Sequence, residues 1–82
     1  LRIASPIDKE SYLMDKTVPE RARTLALLAT GDTSDGAVQW LVDGAMGPTC
    51  EVNKPCRWPV TPGRHRFAIK DSHAPEVHIR VQ

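Results

Sequence analysis

The stretch Arg64-His65-Arg66-Phe67-Ala68-Ile69-Lys70, followed beyond a polar connection by Glu76-Val77-His78-Ile79-Arg80-Val81-Gln82, decides the fold. In the first run His65, Phe67 and Ile69 fall on one side, with Arg64, Arg66 and Lys70 on the other. In the second run Val77, Ile79 and Val81 fall on one side, with His78, Arg80 and Gln82 on the other. A period of two places alternate side chains on opposite faces of a strand, so each run is half-buried in an antiparallel sheet. The Asp71 to Pro75 connection is rich in turn formers, and the two runs should pair through it as a hairpin.

Working outward, the same period recurs. Leu25, Leu27 and Ala29 share one face, and so do Val38, Trp40 and Val42. A further short strand is expected around Ile3, ended by Pro6. Gly31 to Gly36 is turn material, Asp43-Gly44 favours a tight hairpin, and Pro62-Gly63 favours another turn. Pro19 to Leu28 contains fair helix formers in Glu20, Arg21, Ala22 and Arg23, but a loop running into a strand is the preferred reading. The pattern predicts an all-β protein, a small immunoglobulin-like antiparallel β-sandwich of about seven short strands. Its expected core is Leu25, Leu27, Val38, Trp40, Val42, Phe67, Ile69, Val77, Ile79 and Val81. Sandwiches of this kind often bury one Trp on a central strand, and Trp40 fits that place. Trp58 precedes Pro59, which belongs at an edge or a strand end.

The chain has 82 residues, enough for one domain. A chain of that length buries only about 60–65% of its unfolded surface, which leaves no room for a deep cleft. Eleven Lys and Arg against ten Asp and Glu give a net charge of +1, so nothing in bulk drives it to nucleic acid. Apolar runs such as Leu25 to Ala29 are far too short to insert in a membrane. Without an initiator Met or a leader pattern, the chain reads as a segment of a larger exported protein.

Cys50 and Cys56 admit three readings. A local disulfide suits a small exported domain, and the chain-entropy argument gives it about 2 kcal/mol. Two free thiols are the second. A zinc site completed by His65, His73 or His78 is the third, although the spacing is wider than C-x₂₋₄-C. Other chemistry finds little support. The histidines could pair with Asp71 or Glu76 for acid–base work, but His78 on the outer face and His73 in a turn favour solvated groups, and Asp8, Asp15, Asp32, Asp35 and Asp43 read as turn formers without calcium-loop spacing. No phosphate-binding glycine loop is present, so no metal and no cofactor are expected.

The order Ile3-x-Ser5-Pro6-Ile7-Asp8, Leu25-x-Leu27, Val38-x-Trp40-Leu41-Val42-Asp43-Gly44, Trp58-Pro59, Pro62-Gly63-x-His65-x-Phe67-x-Ile69-x-Asp71 and Val77-x-Ile79-x-Val81 resembles the C-terminal domain of the penicillin-binding protein 1C family. These are bifunctional peptidoglycan glycosyltransferase/transpeptidases. Lys9 stands where that pattern has a Gly after Ser-Pro-x-Asp, and Ser72-His73-Ala74 lacks the Gly expected after Asp71. The Cys50 to Cys56 loop is no part of the pattern.

The resemblance implies that residues 1–82 are a C-terminal accessory domain of a cell-wall enzyme held in the periplasm and anchored to the inner membrane through the rest of that protein. It also implies that this segment is not the enzyme. No Ser begins an S-x-x-K, and Lys16-Thr17-Val18 falls short of Lys-Thr-Gly. The implied partners are the parent enzyme's own domains or a periplasmic protein, with bacterial α2-macroglobulin-like proteins as a candidate. A free-standing secreted adhesion or carbohydrate-binding module is the competing class. Strand parity puts Arg64, Arg66, Lys70, His78 and Arg80 on one exposed face, which reads either as a solvated face whose long side chains cover apolar surface or, in the sharper reading, as the place where an acidic partner docks. Residues 41–82 carry six Lys and Arg against four Asp and Glu, whereas residues 1–40 carry five against six.

Overall fold

The computed structural model describes residues 1–13, 17–19 and 22–82, and its strands account for the whole architecture. In chain order these are β1 (Arg2–Ser5), β2 (Ser11–Tyr12), β3 (Thr24–Thr30), β4 (Ala37–Val42), β5 (Ala45–Glu51), β6 (Cys56–Pro59), β7 (Gly63–Ile69) and β8 (Val77–Val81). One sheet has the order β1-β3-β6 and the other β2-β8-β7-β4-β5. Two sheets face each other across a shared core, as in the immunoglobulin-like sandwich expected from the sequence.

Two details differ from that expectation. There are eight described strands, because Ser11–Tyr12 forms an additional short one. It pairs with β8 in parallel, so the larger sheet is mixed. The cause lies at the N-terminus. After β1 the chain passes through a cis Ser5–Pro6 peptide and crosses from the smaller sheet to the exposed edge of β8. There Asp8 Oδ1 accepts from the His78 N–H at 2.8 Å, and the Lys9 N–H donates to the His78 carbonyl at 2.7 Å. Arg80 N–H donates to Glu10 O, and Gln82 N–H to Tyr12 O. An open row of backbone groups is thereby satisfied. Lys9 does this with φ at +66°, in the left-handed region that glycine adopts most readily.

The core follows the alternation. Leu27, Trp40 and Phe67 are fully buried, and Leu25, Ala29, Val38, Cys50, Ile69, Val77, Ile79 and Val81 surround them. Val42 is only half-buried, since β4 leaves the sandwich at the turn that follows it. Trp58 of β6 is half-buried and stands edge-on to Phe67 and His65 of β7, at centroid distances of 5.3 and 5.0 Å. These contacts join the two sheets and contribute beyond simple burial. Pro59 ends β6, an edge strand. No α-helix forms among the described residues of the 19–28 stretch, where the Ala22 N–H closes a tight turn on Pro19 O at 2.8 Å; Glu20 and Arg21 lie outside them.

Cys50 and Cys56 are joined in a disulfide that ties β5 of the larger sheet to β6 of the smaller. The loop between them is clamped. Asn53 accepts from the Gly31 N–H at 3.1 Å and donates to the Gly31 carbonyl at 3.0 Å, while its own N–H bonds Ala29 O at 2.7 Å.

Candidate functional site: the outer face of the larger sheet

Hydrogen-bond register sets the outer face of the larger sheet in rows. Arg64 lies opposite Arg80, with Ser11 beyond it, and Arg66 lies opposite His78. The next row is apolar, running from Ala68 to Leu41 to Met46, and Met46 is 62% exposed. The row after that is polar: Gln39 lies opposite Thr49, whose hydroxyl donates to Gln39 Oε1 at 2.7 Å. The face is therefore cationic at one end, apolar in the middle and polar beyond, where Lys70 lies at the level of Gln39.

The sequence-predicted site residues Arg64, Arg66, His78 and Arg80 come together at the cationic end, all exposed. Lys70 does not join them. It shares their parity, but it follows the end of β7 and lies six residues from Arg64, about 20 Å along the strand. It is set apart by length, and its N–H bonds Gln39 O at 2.9 Å.

The cationic rows are not equivalent. Glu76, at the mouth of the β7–β8 hairpin, places Oε2 3.6 Å from His78 Nε2 and 4.0 Å from Arg66 Nε. Arg64 and Arg80 have no carboxylate within ion-pair distance among the described residues. Two like charges directly opposite one another on paired strands destabilise a sheet, by roughly 0.2–1 kcal/mol on the scale of such pairs.

Beside these rows lies a polar junction. His65 is buried, 9% exposed, with Nδ1 2.8 Å from Asp43 Oδ2 and Nε2 2.8 Å from the Thr61 carbonyl. Asp43 Oδ1 accepts from the Arg66 N–H at 2.8 Å, and the Asp43 N–H donates to Arg66 O at 2.8 Å. Burial alone would push the Asp43 carboxyl up. The hydrogen bonds from His65 and the Arg66 backbone, with the charges of both residues, outweigh it and hold the carboxyl below the usual carboxylate range. Asp43 and Gly44 have φ of +54° and +81°, the geometry of a tight hairpin turn. That turn points the Asp43 side chain back onto β7. A Cβ at Gly44 would meet an Arg66 guanidinium nitrogen at 3.1 Å, so the bare backbone there lets Arg66 lie across the turn.

No group of three or more His, Cys, Asp or Glu among the described residues could hold a metal ion. With both cysteines in the disulfide, the zinc reading of Cys50 and Cys56 is set aside.

Residues 1–81 match the model of the Penicillin-Binding Protein C-terminus Family. The chain belongs to this family. No curated protein and no solved structure matches it. The segments that carried the resemblance in the penicillin-binding protein C-terminus domain occupy joints of the fold. Asp8 caps β8, Trp40 fills the core, Asp43-Gly44 turns β4 into β5, and Trp58-Pro59 closes β6. Sequence reasoning missed Glu76 as a resident counter-charge and Asp43 as more than a turn former. The residue types carried a signal in both cases: an acid beginning a basic strand, and an Asp before Gly at the end of a core strand.

Proposed function

We propose that this penicillin-binding protein C-terminus domain is a non-catalytic accessory domain of a periplasmic, membrane-anchored peptidoglycan synthesis enzyme. It docks through the cationic end of its larger sheet on an acidic surface. That surface belongs to the parent enzyme's own domains or to a periplasmic protein, the bacterial α2-macroglobulin-like proteins among them. One observation carries the reading: Arg64 and Arg80 face each other in register, with no carboxylate within ion-pair distance of either among the described residues. Family membership supplies the cell-wall context, and the absence of S-x-x-K and Lys-Thr-Gly argues against transpeptidase chemistry here. No helix among the described residues is long and apolar enough to cross a membrane. The carbohydrate-binding alternative is disfavoured because Trp40 and Phe67 are buried and Tyr12 and Trp58 half-buried, which leaves no exposed aromatic row.

The test is association of this chain with the remainder of its parent enzyme, at low and high salt. The triple variant Arg64→Glu, Arg66→Glu and Arg80→Glu should lose the salt-sensitive part of the binding, because exposed charges are screened beyond about 8–10 Å at physiological ionic strength. Unchanged binding in all conditions would assign the face to solvation alone. Fluorescent penicillin should leave the chain unlabelled, and stoichiometric acylation would overturn the non-catalytic reading.

A further inference from the structure

Glu76 shows what the cationic rows of this face do with an anion. Its Oε2 lies within ion-pair distance of both Arg66 and His78, which stand opposite each other on neighbouring strands. The adjacent row, Arg64 opposite Arg80, is built in the same way and lacks such a carboxylate among the described residues. The two rows lie two residues apart on each strand, about 6.6–6.8 Å. An extended polypeptide repeats its same-face side chains at that interval. Beyond the cationic rows the face turns apolar, through Ala68 and Leu41 to the exposed Met46. A polypeptide has apolar side chains to offer that row, whereas a phosphate polymer has none.

Resting on the docking role above, we infer that Arg64 and Arg80 form a carboxylate clamp for an extended acidic segment of a partner protein, with its acids at alternate positions. One acid of the segment enters between the two guanidinium groups, each able to form paired N–H bonds to a carboxylate. The next same-face acid reaches the Arg66/His78 row, where it competes with Glu76. Glu76 is therefore the internal ligand of the second row and weakens the clamp by occupying it.

The experiment follows the arginine Nε–Hε resonances of the 82-residue chain during titration at low salt. The probes are capped Thr-Glu-Thr-Glu-Thr, its equally charged rearrangement Thr-Glu-Glu-Thr-Thr, and tripolyphosphate. The alternating peptide should move the Arg64 and Arg80 signals and bind several-fold more tightly than the contiguous one. Arg64→Gln or Arg80→Gln should each weaken it about tenfold, equivalent to about 1.4 kcal/mol. Arg80→Lys, which keeps the charge but loses the fork, should also weaken it. Glu76→Gln should tighten it, while Lys70→Gln, with the same charge change as Arg80→Gln, should do nothing. Equal affinity for the two peptides overturns the clamp. So does a preference for tripolyphosphate, or a Lys70→Gln effect as large as that of Arg80→Gln. The arginines are exposed, and thermal unfolding of each variant confirms that a binding loss is not a folding loss. If the peptides are not distinguished while the charge-reversed chain still loses its parent enzyme, the clamp fails and the docking reading stands. If the charge-reversed chain keeps the enzyme, the docking reading itself fails.

Discussion

Asp43→Asn isolates one charge at the joint between the β4–β5 turn and β7. Asn tolerates the +54° φ of this position and retains an oxygen to accept the Arg66 N–H. What changes is the contact with His65, where a carboxylate 2.8 Å from Nδ1 is replaced by a neutral amide. A hydrogen bond to a charged partner contributes about 1.5–3 kcal/mol, but the Asp43 side chain is 46% exposed, and solvent screening reduces that to about 0.5–1 kcal/mol. For a domain of this size the loss lowers Tm by roughly 2–8 °C, at about 4–8 °C per kcal/mol. The pH dependence gives the sharper test. A carboxyl held below its ordinary value of 3.8 contributes stability that is present above 3.8 and is lost as pH falls through the lower folded-state value. Wild type and Asp43→Asn should therefore differ near neutral pH and converge in acid below 3.8. Urea midpoints across that range measure this without adding the salt that guanidinium brings. A gap that persists undiminished in acid, or no gap at pH 7, would show that the Asp43 charge does not hold this joint.

Other perturbations probe the frame around the site. Trp40→Ala removes a fully buried indole and should cost about 3–5 kcal/mol, close to the whole stability expected of a small domain; an unfolding shift no larger than that of an exposed site would contradict its place in the core. Replacing Cys50 and Cys56 by Ser should lower stability by about 2 kcal/mol without unfolding the chain, since the bridge spans only six positions, and native alkylation with mass measurement should find no free thiol in the wild type. Lys9→Gly should raise stability by roughly 0.5–1 kcal/mol, because glycine adopts the +66° φ without strain and keeps the N–H bond to His78; a lowered Tm would mean that the Lys9 side chain holds the loop itself.

Strands that face the core with a strict alternation were legible: β3, β4, β7 and β8 each write their inward residues at every second position. Three others were not, for separate reasons. In β5 a register shift opposite Gln39 to Leu41, with Gly47 and Pro48 inside the strand, breaks the period. β6 is four residues long and ends in Pro59. β2 is a strand only because β8 offers it an edge, a fact held in residues far along the chain. The same division runs through the site. Parity and the β7–β8 hairpin put Arg64 and Arg80 on one outward face from sequence alone, and the register that sets them opposite each other came from the structure. The bonds of Asp43 to Arg66 and His65 depend on β4 lying beside β7, which no local pattern encodes. Lys70 shows the converse failure, since parity assigned it a face but carried no information about distance along it.

The arrangement of charge on that face follows from these joints. The Asp43 carboxylate is committed to His65 and the Arg66 backbone, so it neutralises neither Arg64 nor Arg80. Glu76 serves only the row nearest the hairpin mouth. The N-terminal strap meets the other row at Ser11, a neutral residue opposite Arg80. Among the described residues, each element packed around the Arg64/Arg80 row therefore leaves its charge without an ion pair, although an acid at position 11 would lie next to Arg80 and relieve the repulsion. The opposed charges of that row weaken the sheet, and both arginines are exposed. Packing and backbone pairing account for Trp40, Asp8 and Asp43, whereas the opposed Arg64 and Arg80 find no such account among the described residues, and the proposed clamp would supply one by placing a partner's carboxylate between them.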